Sequence, residues 1–229
     1  MSPLISGCVT WNQEVAQGVR ELRGTAFQDG IPLKPGMPLI PGKTLTTGAG
    51  TWMTVVVGGD ALLIHDNTEL LLSSRPLAQS HADPATAVDA APQVTPTATA
   101  AGSILGYTLK RGRVLSVFSP GLRSLQTPNA TIGIRGTGIY MEYEPGRTYF
   151  CTCYGASTLQ ARNDPSVRES IQALHHDARF IRDATTGPSI LEKGPMHNHT
   201  DDELILLERL VGRIPPFVQG SSQDEGYGK

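Results

Sequence analysis

The stretch Ser124–Gly155, SLQTPNATIGIRGTGIYMEYEPGRTYFCTCYG, constrains the fold more than any other part of this chain. It reads as three consecutive β-strands. The first ends at Thr127-Pro128, the second carries Ile134-Arg135-Gly136-Thr137, and the third follows the turn Pro145-Gly146. β-branched and aromatic residues suit a pleated surface, and the Pro-Gly pair marks a reversal. The same rhythm runs upstream. Arg20–Phe27 alternates, and Thr51–Val57 and Ala61–His65 flank Gly58-Gly59-Asp60, a tight hairpin signal, as Asp29-Gly30 is another. Turn signals at short, regular intervals predict a mainly β chain, a sandwich or solenoid-like stack of short strands, and not an α/β fold.

An ordered series of motifs runs through this region: Gly112-Arg113-Val114, Thr127-Pro128-Asn129-Ala130, Ile134-Arg135-Gly136-Thr137, Tyr140, Thr148 and Gly155. It resembles the FecR domain, the extracytoplasmic module named after ferric-citrate signalling regulators. Val19–Gly24 with Gly30–Leu33 looks like that domain's opening hairpin. Pro41–Gly48 and Asp66–Leu70 are similar to its next two segments. The resemblance covers residues 18–160. It implies a non-catalytic binding or sensing module of a bacterial cell envelope, periplasmic or otherwise extracytoplasmic, with a protein or small-ligand partner. The family's regulators also carry an anti-sigma segment and a membrane span. This sequence shows neither, since no run of about eighteen apolar residues occurs, so control of a sigma factor is not implied. The pattern departs from the family at Cys151-Thr152-Cys153, where plain β-formers are usual.

The rest of the chain divides by texture. Residues 1–17 read as an N-terminal remnant or signal-derived segment. There Leu4–Cys8 resembles a lipobox, with Cys8 as a candidate lipid anchor, but lacks the basic region and longer apolar stretch of a signal peptide. Residues 75–103 are rich in Ala, Pro, Thr and Ser and read as a flexible insertion in the β-domain. Residues 161–218 read as a C-terminal capping segment, and 219–229 as a disordered tail. Within the capping segment, Asp164-Pro165-Ser166 can cap a short helical turn, and Ser170–Ile181 fits helix or strand. Thr200-Asp201-Asp202-Glu203 is a capping box that opens an amphipathic helix near 200–212, with Leu204, Leu207, Leu210 and Val211 on one face. Gly212 and Pro215-Pro216 end it. A net charge of −2 gives no electrostatic case for nucleic acid or anionic membrane as partner. No phosphate loop, nucleophile elbow or HExxH occurs, and no acid/base pair is marked, so an enzyme is poorly supported.

Cys151 and Cys153 carry the chemistry. Residues i and i+2 of a strand share a face, so both thiols can reach one ion. In an extended strand their Cα atoms lie about 6.6–7 Å apart with parallel Cβ vectors, poor geometry for a disulfide. His175-His176 and His197-x-His199 supply imidazoles. The pair at 175 and 176 would face opposite ways on a strand, whereas 197 and 199 would share a face. His199 precedes the Thr200 cap, where the helix dipole opposes protonation. Two thiolates and two imidazoles suit tetrahedral zinc or a copper ion, and Met196 would tilt the choice toward copper. The expected metal site is drawn from Cys151, Cys153, His175, His176, His197 and His199, closed by the C-terminal segment folding back. A copper- or redox-handling metalloprotein is the alternative reading. The plain reading stands beside both: two small buried hydrophobes and a few exposed histidines. Arg135-Gly136-Thr137 could contact a ligand, but is read as structural, with Gly136 serving the backbone and Arg135 hydrogen-bonded.

Overall fold

The computed structural model describes residues 16–73, 104–183 and 189–220. Cys8, the 75–103 insertion and the tail from residue 221 lie outside the described residues. The chain is mainly β, as the alternation predicts. Its strands are β1 (Gly18–Arg23), β2 (Ala26–Gln28), β3 (Ile31–Pro32), β4 (Thr44–Thr47), β5 (Trp52–Val57), β6 (Asp60–Ile64) and β7 (Glu69–Leu72). Then follow β8 (Gly106–Val117), β9 (Leu122–Gln126), β10 (Ala130–Glu144), β11 (Arg147–Ala161), β12 (Arg168–Ala173), β13 (Asp177–Arg182) and β14 (Leu191–Gly194). Among the described residues two helices follow, α1 (Asp201–Leu210) and the short α2 (Pro216–Gly220). The two-residue turns fall where glycine signals them. Asp29-Gly30 joins Gln28 to Ile31, Gly58-Gly59 joins Val57 to Asp60, and Pro145-Gly146 joins Glu144 to Arg147.

All fourteen strands of the described residues belong to one sheet. The short-strand expectation misses how this is achieved: β10 and β11 run fifteen residues each and β8 runs twelve. Each long strand serves two arms. The first half of β8 pairs with β7 and, in parallel, β9; its second half pairs with β6 and β10. Residues 131–135 of β10 pair with β9, and residues 138–143 with β8. Along β11, residues 155–160 face β12 and 147–152 face β13. The bends fall at glycines. Gly136 and Gly155 take φ of +55° and +90°, where the β10–β11 register shifts. A Cβ on Gly155 would sit 2.4 Å from the Thr137 Cγ2 and 2.9 Å from the Gly136 carbonyl oxygen, so only glycine fits.

The bends let the sheet turn about its larger core, which includes Leu62, Ile64, Val114, Ile132, Phe150 and Leu159. A second core lies on the other face, where α1 contacts β6 and β8. Ala61 and Leu63 point to it while Leu62 and Ile64 point to the first. With both faces covered, every residue of β6 is buried, which is why Ala61 to Ile64 read as a continuous apolar run.

The region left open between helix and strand, Ser170–Ile181, is strand: β12 and β13. Asp164-Pro165-Ser166 forms no helix. Asp164 Oδ1 accepts from the Ser166 N–H and hydroxyl, making a polar turn between β11 and β12. The capping box forms as expected: the Glu203 N–H donates to Thr200 Oγ1, and the Thr200 N–H donates to Glu203 Oε2. Leu204, Leu207 and Val211 are buried against the second core.

Candidate metal centre

Strand parity places Tyr149, Cys151 and Cys153 on the helix-covered face of β11. Both cysteines are fully buried and free. Their sulfurs lie 4.0 Å apart, as expected for same-face thiols that do not bridge. Opposite them the outer ribbon breaks. β12 and β13 both pair with β11, and the residues between them, Leu174 to His176, bulge out. His176 takes a left-handed φ of +43° while its N–H still donates to the Cys153 carbonyl. The bulge turns the His176 ring over the cysteines and leaves its Nδ1 3.6 Å from Cys151 Sγ. The fourth group arrives from the α1 N-terminus: His199, 5% exposed, places Nε2 3.5 Å from Cys153 Sγ and 3.3 Å from His176 Nδ1.

These spacings can be compared with an ion's demands. Tetrahedral zinc, with Zn–S of about 2.3 Å and Zn–N of about 2.05 Å, sets S···S near 3.8 Å, S···N near 3.6 Å and N···N near 3.3 Å. The corresponding separations here are 4.0, 3.5–3.6 and 3.3 Å. All four donor atoms lie within 4.8 Å of one another. The residues fit the ion.

The surroundings fix the donors. The His199 Nδ1 is 2.7 Å from the His197 carbonyl, so it is the donor and Nε2 presents its lone pair to the sulfurs. The ring stacks on Tyr140, centroids 4.5 Å apart and planes 10° from parallel. His176 Nε2 donates to Asp201 Oδ1 at 2.8 Å, leaving Nδ1 for an ion. That carboxylate–imidazole pairing orients metal-bound histidines generally. Asp201 also accepts from His175 Nε2 at 2.9 Å. Burial alone would raise the Asp201 carboxyl, but the bonds from His176 and His175 hold it below its usual range.

The thiols polarise each other. A hydrogen bond from Cys153 holds the Cys151 thiol well below its ordinary range despite burial, helped by His176 and His199. Burial, then the neighbouring Cys151 sulfur, pushes Cys153 up. The two sulfurs therefore titrate as a coupled pair, one pushed down and the other up. Burial lowers His176, but Cys151 and Asp201 outweigh it and raise its pKa.

Of the six residues proposed from the sequence, Cys151, Cys153, His176 and His199 come together. His175 is half-exposed on the outer side of Asp201, its ring 4.6 Å from that of Phe217. His197 stacks on Tyr149 at 3.8 Å and contributes its backbone carbonyl, not its ring. Met196 is 42% exposed, outside this buried cluster, and offers no reason to favour copper. From sequence, Asp201, Asp202 and Glu203 fit a hard-ion site or, more simply, the helix cap; the position of Asp201 two residues after His199 is the available signal for a role beside this site.

No protein-family model matches the chain, and no curated protein matches it. Among solved structures, two crystal structures described as a "putative anti-sigma factor from Parabacteroides distasonis ATCC 8503" are similar, with TM-scores of 0.44 and 0.45 and 10% sequence identity. The overlap covers 66% of this chain and 58% of that one, so this chain spans less than two thirds of its length. At that identity and overlap the likeness assigns neither family nor function.

Proposed function

We propose that this chain is a non-catalytic, FecR-like binding module of a bacterial cell envelope, in which one zinc ion clamps the C-terminal helix to the sheet. Cys151 and Cys153 from β11, His176 from the β12–β13 bulge and His199 from the α1 cap are the ligands. The observation that carries the metal is the match between four donor separations and the edges of a tetrahedral N₂S₂ site. That donor set and shape select zinc over the tetragonal preference of copper(II). Four protein ligands leave no position for substrate, the mark of a structural site. The motif series from Gly112 to Gly155 supports the envelope module.

The test is direct. Protein purified without an affinity tag, on a Cys8→Ser background, should hold one zinc per chain by elemental analysis. Its two remaining thiols should react slowly with a disulfide reagent until chelator or acid is added, because metal and proton compete for sulfur. Cys151→Ser should abolish binding and lower stability, whereas His65→Ala and His197→Ala should retain the ion. Metal-free protein with both thiols reacting at once would overturn the reading.

A further inference from the structure

Helix α1 covers only part of its sheet face. The register shift near Gly136 and Gly155 carries the same face onward into the other arm. There residues 131, 133 and 135 of β10 lie beside 156, 158 and 160 of β11 and 168, 170 and 172 of β12. No helix packs there among the described residues. The uncovered surface forms an open groove of about 440 Å³.

Its lining is selective. Arg135 and Arg168 are both exposed, and neither guanidinium makes a hydrogen bond or ion pair among the described residues. Arg135 therefore lacks the structural contact expected from the sequence. Among the described residues no Asp or Glu lines the groove. The acids nearby are engaged elsewhere: Glu169 points to the other side of β12 and pairs with Arg179. Between the arginines lie Thr131, Thr158, Ser170 and Gln172, over a floor of Gly133 and Ala156, while the buried Gln160 beside them donates to the Pro165 carbonyl.

The arginines stand at opposite corners. Arg135 is opposite Ala156 and Arg168 opposite Gln160, four residues along β11 and two strands across. Strand geometry puts their Cα atoms roughly 17 Å apart. An occupant must be elongated, carry negative charge toward both ends, and present hydroxyls or similar groups to the side chains between. Among the described residues the groove has no aromatic residue, and Leu122 at its rim is its one exposed large apolar side chain. The aromatic anchors by which protein segments dock are missing there among the described residues. Hydroxyl and carboxamide side chains both donate and accept, which matches a chain of sugar hydroxyls.

We propose that this groove binds an acidic oligosaccharide, its carboxylates paired with Arg135 and Arg168 and its hydroxyls read by the Thr, Ser and Gln side chains. The site is separate from the cysteine–histidine cluster and does not depend on it.

Calorimetric titration of the full chain with tetragalacturonic acid tests this, with its methyl-esterified form and a short polyglutamate as companions. The uronate should bind saturably at one site per chain and weaken as salt rises. Arg135→Ala and Arg168→Ala should each weaken it about tenfold, the scale of a charge-assisted hydrogen bond. Both are exposed, so their melting temperatures should match the parent, and Lys193→Ala, outside the groove, should bind normally. Loss of binding on esterification supports the proposal. Failure of the uronate to bind at low salt overturns it. Equal binding of polyglutamate, or indifference to both arginine variants, overturns it as well, the former reducing the groove to a basic patch that takes any polyanion.

Discussion

Asp201 holds two positions at once. It opens α1, where a carboxylate favours the positive end of the dipole, and it anchors His176 through Nε2. Asp201→Asn keeps the shape but weakens the acceptor, so metal affinity should fall about 10–100-fold, measured by competition with a chromophoric chelator. His197→Ala in the same assay should show little change, because the backbone carbonyl that orients His199 remains. Equal losses in both variants would mean that the loop, not the carboxylate, orients the site. The doublet His175-His176 shows what residue spacing conveys. Opposite directions on a strand allow one ring into the site, and one enters. Which one depends on the left-handed backbone at His176, which nothing in the dipeptide announces.

At the scale of elements, α1 and the bent strands carry the energetics. Leu207 is fully buried between α1 and the sheet. Leu207→Ala should cost about 2–5 kcal/mol, and Thr200→Ala about 1 kcal/mol through its cap. Denaturant unfolding of both variants checks the order; a silent Leu207→Ala would mean the helix is undocked. Gly155→Ala should cost about 2–5 kcal/mol, since backbone strain adds to overlap with Thr137. Gly50→Ala serves as control: its φ is also positive, but no atom lies within 4 Å of the added Cβ. Equal destabilisation of the two would assign the whole effect to backbone conformation.

Across the whole molecule, the cysteine–histidine cluster joins three distant parts of the chain: β11, the β12–β13 bulge and the start of α1. An ion there would tie the helix to the sheet with no change in the first core. Chelator treatment should therefore raise amide exchange over residues 197–213 and leave β4 to β7 protected, as hydrogen-exchange mass spectrometry would show. Uniform loss of protection would make the ion a condition for the whole fold. The buried Glu208, which accepts from Tyr154 and Arg213, offers a second tie between α1 and the sheet. It gives the helix a reason to remain partly docked without metal.

Local chemistry determined much of this from sequence. Glycine turns set the hairpins, alternation set the strands, and a capping box with a 3.6-residue apolar stripe set α1, because each depends on residues within a few positions of one another. The same-face thiols followed from strand period alone. Tertiary structure decided the rest. Fifteen-residue strands crossing from one arm to the other, the fully buried β6 and the choice of His176 and His199 over His175 and His197 depend on pairings between residues far apart in the chain. Arg135 shows the limit most plainly. Its tripeptide looks structural, yet only the register shift beside Gly136 and Gly155, and the reach of a helix over sixty residues later, leave its guanidinium exposed and, among the described residues, unpaired.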